Sequence, residues 1–342
     1  MVGSSPASLT RSIGVKHLFV INPRSFPVQA TQDRVVKEIH DCFVDLGGGE
    51  YTILLSRYSR DAIGLIRTWL KEHQGNETVR VYAVGGDGIL FDCLNGIVGL
   101  PNTELAAIPY GSANDYIRAF GEDKKENFRN IKLQVCAQTI PADIIHCGNN
   151  YAMNFCTVGI ESEAIMFAVR LNNNLPQNIR KYQRLSSLIY VMLLILGGTM
   201  AVFNKKILYQ HYTISIDGED FSGAYGTINI ANGPCYGGDK NPVTTAMPDD
   251  GILDALFFKC GSSLKAASVI PKYVKGAFRD YPNNFFLRRF KKIEIRSESP
   301  LLVDLDGEVF FDTNLTVQII PSAIKFAAPG GIAFLKMADT NE

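Results

Sequence analysis

The spacing of apolar and polar positions changes near residue 138. Before it, short apolar runs alternate with stretches whose apolar residues recur every three or four positions. Lys16-His17-Leu18-Phe19-Val20-Ile21, then residues 51–55, 79–84 and 105–109, read as buried strands. Between the first two, Val35, Val36, Ile39, Phe43 and Leu46 mark one helical face, stopped by Gly47-Gly48-Gly49. Ser59 is the expected N-cap of a second helix running to Glu72, and Ile89 to Gly96 opens a third. Strands and helices alternating at this pace predict a mostly parallel sheet covered on both faces.

After residue 138 the pattern becomes short strands joined by polar turns. Residues 143–147 and 151–157 flank Gly148-Asn149-Asn150, and 212–216 and 225–231 flank Asp217-Gly218-Glu219-Asp220; each set predicts a hairpin. Further short strands are expected at 252–258, 291–295, 301–305, 309–311 and 315–319, with one helical run over 263–279 that Pro271 should break. Hairpins without regular crossover helices suggest a sandwich-like second domain. The expected division is 1–138 for an α/β domain and 139–326 for a β-sandwich, in a chain of 342 residues.

Composition narrows the class. The hydrophobic fraction of 46% and charged fraction of 20% fit a globular protein with a sizeable core. A formal net charge of zero argues against nucleic acid as partner. Seven scattered cysteines, none spaced C-x₂-C, suggest reduced thiols, and residues 1–10 have no apolar signal region, so a cytoplasmic location is expected. Residues 185–203 are largely apolar, but Ser186, Ser187, Gly197, Gly198 and Thr199 interrupt them. The unbroken core is short for a span, so a buried or interfacial helix is expected.

Candidate chemistry gathers where predicted strands end. The third runs into Gly85-Gly86-Asp87-Gly88 and then a helix start. Adjacent glycines bare the amides, and a helix N-terminus adds a positive pole, which together suit an anion such as a nucleoside triphosphate. An aspartate there would repel bare phosphate, and makes sense if it holds Mg²⁺ or a nucleotide hydroxyl. A tight strand-to-helix turn accounts for the same residues. Asn22-Pro23-Arg24-Ser25-Phe26, Ser56 and Gly111-Ser112-Ala113-Asn114-Asp115 also sit just past predicted strands, so all would converge on one sheet edge.

Taken in order, Asn22-Pro23, Gly85-Gly86-Asp87-Gly88, Pro109-Tyr110-Gly111-Ser112-Ala113-Asn114-Asp115, Asp250-Gly251-Ile252-Leu253-Asp254 and Asp306-Gly307-Glu308 resemble the diacylglycerol kinase catalytic family, which includes bacterial lipid kinases and sphingosine kinases. The likeness spans about residues 16–326. It implies an NAD-kinase-like nucleotide-binding α/β domain, a β-sandwich lipid domain, and a tail, 327–342, returning to the first. It further implies an ATP-dependent kinase phosphorylating a lipid hydroxyl, most plausibly that of diacylglycerol, with transient contact at the inner face of a membrane; a homodimer is also compatible with it. Asn22, Pro23, Arg24, Ser25, Phe26, Ser56, Gly85, Gly86, Asp87, Gly88, Ile89, Ser112 and Asn114 fall where the family contacts ATP. Asp87 and Asp115 fall where aspartates organise nucleotide and Mg²⁺; Asp250, with the carbonyls of Met247 and Ile252, where bacterial members hold a structural Mg²⁺; and Glu308 at the general base.

The chain departs from the family at Ile89, where threonine is usual, and at Phe91-Asp92, where Asn-Glu is usual. Two other functions therefore stand beside the lipid kinase: an NAD kinase, which shares the GGDG element, and a catalytically impaired lipid-binding regulator. Asp217-Gly218-Glu219 repeats the tripeptide of Glu308, and local sequence does not separate the two. Arg180-Lys181-Tyr182-Gln183-Arg184 and Arg288-Arg289-Phe290-Lys291-Lys292 are the candidate basic docking faces.

Overall fold

A computed structural model describes residues 14–26, 28–174, 183–235, 237 and 242–335, with the side chains of 173 and 183–187 outside the description. The chain divides into two compact units, Met1–Ala142 with Ser322–Leu335, and Asp143–Pro321 with Lys336–Glu342.

The first unit carries β1 (Val15–Ile21), α1 (Gln29–Asp45), β2 (Tyr51–Leu55), α2 (Asp61–His73), β3 (Thr78–Gly85), α3 (Asp87–Ile97), β4 (Thr103–Pro109) and short helices α4 (Asp115–Arg118), α5 (Lys125–Arg129) and α6 (Ile131–Val135). β5 (Gln138–Cys147) leads out of it. The strands are parallel in the order β2-β1-β3-β4, so the chain steps to one side of β1 and then to the other. Such a reversal opens a crevice at the carboxyl ends of β1 and β3. Their ends are level: Ile21 lies beside Leu55 and Val84, and Gly85 beside Pro109.

Continuous burial along β3 past Thr78 explains why its residues there are apolar apart from Arg80, since helices cover both faces. On one face Phe19 stacks on Tyr82 with ring centroids 4.2 Å apart, and Val35, Ile39 and Phe43 of α1 close the cluster. Below it, Arg80 donates to Glu104 (2.8 Å) and to the carbonyls of Gln134, Val135 and Ala137, holding the C-terminal end of α6.

One helix start differs from expectation. Ser59 does not cap α2; the cap position is Arg60, in the left-handed region at φ 66°. The carboxylate of Asp61 reaches back to accept from the Arg57 amide (2.9 Å), and Asp92 accepts from the Arg60 amide (3.0 Å). The two carboxylates thus fix the chain that leads into α2, and no side chain caps the first turn itself.

The second unit holds β6 (Asn150–Ala152), β7 (Phe155–Gly159), α7 (Ile160–Asn173), α8 (Gln183–Phe203), α9 (Lys205–Leu208), β8 (His211–Ile216), β9 (Glu219–Asp220), β10 (Gly223–Ala224), β11 (Thr227–Ala231), β12 (Leu253–Phe258), α10 (Ser263–Tyr273), β13 (Phe285–Phe290), β14 (Lys292–Leu305) and most of β15 (Glu308–Ala328). It is a β-sandwich-like domain of antiparallel strands, ordered β13-β12-β11-β7-β14-β15. The first half of β14 pairs with β8 and its second half with β7, across an irregularity between Arg296 and Leu301. A long strand that changes partners at a bulge is how such folds turn corners.

The first expected hairpin forms only near its turn, with His146 opposite Tyr151; the strand expected over 151–157 breaks after Ala152 and resumes as β7, which pairs with β11 and β14 instead. The second expected hairpin is corrected. β8 turns through Asp217-Gly218 only into β9, whereas β11 lies between β7 and β12. The reason is burial: β11 is buried at every position and needs neighbours on both edges, while β8 alternates exposed and buried residues. Pro271 does not interrupt its helix either; α10 runs two residues past it and ends at Tyr273. Among the described residues no helix is long and apolar enough to cross a membrane.

Candidate functional site

The carboxyl edge of the first unit is built by backbone pairing between loops. The Asn22 amide donates to Val84 O (3.1 Å), the Ser56 amide to Ile21 O (2.9 Å), and the Tyr110 and Gly111 amides both to Gly85 O (2.7 and 3.0 Å). The side chain of Asn22 accepts from the Arg24 amide at 3.0 Å, capping the single turn Pro23–Ser25. Phe26 and Tyr110 touch across the same edge, ring centroids 4.9 Å apart. Every loop expected to converge here does so.

The two glycine loops interlock. A Cβ on Gly111 would lie 2.3 Å from the Cα of Gly86, and a Cβ on Gly85 would lie 2.7 Å from Ser25 Oγ. Only glycine permits that approach. Asp87 then ties the loops: its carboxylate accepts from the Asn114 amide (2.8 Å) and the Asp115 amide (2.7 Å). Burial pushes the Asp87 carboxyl above the ordinary carboxylate range, against the pull of those amides. Asn114, left-handed at φ 54°, accepts from the Gly111 amide (3.1 Å) and donates to Gly111 O (2.6 Å). Gly88 and Ser112 remain exposed, beside the N-terminus of α3. Ile89 and Phe91 are buried, so neither side chain is offered to a ligand.

Sequence reasoning missed Arg129 and Lys125. Arg129 donates to Pro109 O (2.9 Å) and lies over the Tyr110 ring, clamping the second loop. Lys125 has its ammonium pushed down, first by burial and then by Arg129 and Arg118, while Asp87 opposes that shift. The only cue was helical spacing downstream of Asp115. The chain then returns: Phe334 packs on Phe120 with ring centroids 4.4 Å apart, and the Leu335 amide donates to Ala119 O (2.8 Å).

The other candidate residues belong to the second unit. Glu308 opens β15 after a two-residue turn in which Asp306 and Gly307 both have positive φ (50° and 91°). Asp306 does not face a ligand; its carboxylate accepts from the Met153 (2.7 Å), Asn154 (3.2 Å) and Phe155 (2.8 Å) amides. Asp217 is used in the same way, accepting from the Lys292 amide (2.9 Å). The two glutamates differ in their surroundings. Glu219 is exposed and paired with Arg288 (2.7 Å), whereas Glu308 is half-buried and sits near Asp304. Asp304 is fully buried, and neither carboxylate oxygen has a hydrogen-bond partner among the described residues. Burial, then Asp306, pushes its carboxyl well up.

In the Asp250 loop, the carboxylate accepts from the Ile252 amide (3.1 Å) and pairs with Arg289, which also meets Asp254 at 3.2 Å. Asp143 lies alongside and accepts from the Gly251 amide (2.6 Å). Burial pushes Asp250 and Asp254 up. Several carboxylates against one arginine, with only oxygen donors near, are compatible with a hard cation. Among the described residues, however, no cluster of three acidic, histidine or cysteine side chains is arranged to hold a metal by itself, so carbonyls would have to contribute.

Two family models match this chain in series. One, described as the diacylglycerol kinase catalytic domain, matches residues 16–147; the other, a YegS C-terminal NAD kinase beta sandwich-like domain, matches 189–328. The chain belongs to the diacylglycerol kinase catalytic family. Both family domains therefore coincide with the parts just described, the first with the glycine-loop edge and the second with the strands around Glu308. A Staphylococcus aureus (strain Mu3) protein named "Putative lipid kinase" is 25% identical over 278 residues, covering 80% of this chain and 85% of that one. A solved structure titled as a diacylglycerol kinase from Bacillus anthracis str. Sterne shares the fold at TM-score 0.66 and 19% identity, covering 93% of this chain and 98% of that one.

Proposed function

We propose that the protein is an ATP-dependent lipid kinase that moves the γ-phosphoryl group onto a lipid hydroxyl, with diacylglycerol giving phosphatidic acid as the leading case. The observation carrying this is the interlock of Gly86 with Gly111, tied by Asp87 to the Asn114 and Asp115 amides at the β1/β3 crevice. It leaves Gly88 exposed at the positive N-terminal end of α3, which would serve as the anion cradle. Asn22 to Phe26, Ser56 and Ser112 stand around that cradle. In phosphoryl transfer the protein mainly positions reactants and neutralises charge. Mg²⁺ would supply part of that neutralisation, with Asp87 and Asp115 holding it at the nucleotide. A second Mg²⁺ would be structural, held by Asp250 and the carbonyls of Met247 and Ile252. Glu308 takes the hydroxyl proton as the new O–P bond forms and the bond to ADP breaks. Its half-buried position near Asp304, where Glu219 is exposed, supports that role.

The test is transfer of labelled γ-phosphoryl from ATP with Mg²⁺ into a panel of lipids in mixed micelles, beside an NAD lane, for wild type and Glu308→Gln. Label in a lipid lane that falls by about 10²–10⁴-fold in the variant is the expected result. Label in NAD alone assigns the protein to the NAD kinases. ATP binding with every lane empty points to a regulator without turnover.

A further inference from the structure

Helix α8 approaches α7 closely through small residues near its end, where a Cβ on Gly197 would come 2.9 Å from Phe167 Cβ and Ala201 is buried with Val202. Its outward face carries the large apolar ones. Leu188, Met192, Ile195, Met200 and Phe203 are each more than half exposed, at spacings that keep them on one side. A continuous apolar stripe of this kind marks an interaction surface.

Charge says which kind. From Ala164 to Ile216 the sequence holds no Asp or Glu, although the chain as a whole is neutral. Immediately past Phe203, Asn204 caps α9 by accepting from the Lys206 amide (3.1 Å), and this fixes exposed Lys205 and Lys206 at the end of the stripe. Exposed Arg170 lies on the neighbouring α7. A second copy docking through the same face would set these cations against each other with no carboxylate on the stretch to pair them. An anionic surface with an apolar interior is complementary to both features. The other basic cluster is spent internally: Arg288 pairs with Glu219, Arg289 with Asp254 and Lys292 with Glu294. Of the Arg180 run, residues 180–182 lie outside the described residues, so no part of the surface is assigned to them.

We propose that the outward face of α8 from Leu188 to Phe203, with Lys205 and Lys206, docks onto an anionic lipid bilayer, the helix lying in the headgroup plane without crossing. The proposal rests on the lipid-kinase reading for its purpose, though its test does not need turnover. The full chain is floated with phosphatidylcholine vesicles and with vesicles mixing phosphatidylcholine and phosphatidylglycerol, without ATP. Its mass is measured in parallel by light scattering. Wild type should partition onto the mixed vesicles. Lys205→Gln/Lys206→Gln should lower that partition by about 30-fold, at roughly five-fold per lysine, and reduce its sensitivity to salt. Met192→Glu/Ile195→Glu should lower it by about 100-fold or more, from the burial value of two large apolar side chains. Both pairs are exposed, so an unchanged melting temperature is the check on folding. Wild type that stays off mixed vesicles at low salt, or a dimer that Met192→Glu/Ile195→Glu splits into monomers, overturns the proposal. Micellar phosphate transfer separates the two ideas: transfer without vesicle binding sinks the docking surface alone, and vesicle binding without transfer supports docking while sinking the kinase.

Discussion

Gly111→Ala tests whether the site depends on backbone contact between two loops. The added methyl would start 2.3 Å from Gly86 Cα, and ordinary van der Waals contact begins near 3.4 Å, so the loops must part by about 1.1 Å. No flexible side-chain tip can yield, because the neighbour is backbone. Passed on in full, that movement stretches the Asp87 bonds to the Asn114 and Asp115 amides, now 2.8 and 2.7 Å, out of hydrogen-bond range. Bonds to a charged group are worth roughly 1.5–3 kcal/mol each, so a stability loss of about 2–4 kcal/mol is expected after partial relaxation. Displacing reactants by about 1 Å typically costs on the order of 100-fold in turnover, which sets the expected fall in kcat/KM for ATP. Thermal unfolding with and without ATP and Mg²⁺ reads the first effect, and labelled transfer reads the second. Gly88→Ala is the control, since nothing lies within 4 Å of its Cβ and it sits inside α3. Alanine there should raise stability by about 0.5–1 kcal/mol. If Gly111→Ala melts like wild type, or the two variants shift the melting temperature in the same direction, the loop-contact reasoning is wrong.

Two further outcomes concern buried charge. Glu104→Gln strands Arg80, whose side chain is 3% exposed, and should cost about 3–5 kcal/mol in chemical denaturation; a loss below about 1 kcal/mol would show that the three carbonyl bonds to Arg80 suffice. Asp304→Asn tests a carboxyl whose folded pKa is raised: the native state then holds a proton that the unfolded chain releases, so wild type loses stability as pH rises above the ordinary carboxylate value. The variant should therefore gain on wild type by about 1.4 kcal/mol for each pH unit above roughly 4, until the folded pKa is passed, and parallel melting curves from pH 4 to 8 would refute this.

What could be read in the sequence was whatever a short stretch decides by itself. β1 and β3 were legible because parallel strands buried on both faces are mostly apolar, as residues 18–21 and 81–84 are. The edge was legible because glycine, asparagine and aspartate cluster where those strands stop. The family order then supplied Glu308, which its own tripeptide did not distinguish from Glu219. What stayed hidden depends on partners distant in the chain. Nothing near Ser59 announces that Asp92, more than thirty residues on, takes the Arg60 amide. Nothing in 225–231 says that its edges belong to β7 and β12, because backbone pairing carries no signature of the partner strand in the local sequence. Nothing in the sequence around Arg129 announces that its guanidinium meets Pro109 O, twenty residues earlier.

The departures at Ile89 and Phe91 look different once burial is known. Ile89 is 2% exposed, and its Cγ2 lies 2.9 Å from where a Cβ on Gly85 would stand, so it packs beneath the loop. Phe91 is 1% exposed, under the Arg60 guanidinium at 5.4 Å from the ring centroid. Asp92, in the place of the usual glutamate, is occupied with the Arg60 amide. The changed positions therefore serve the floor of the site and the start of α2. The amides of the glycine loop and the carboxylate of Asp87 are kept. Electrostatic catalysis of phosphoryl transfer draws on fixed dipoles and charge, and a loop held by backbone contact retains those whichever side chains pack beneath it. The replacement of a hydroxyl by isoleucine thus removes one polar contact at most and leaves the cradle's geometry to the Gly86–Gly111 interlock.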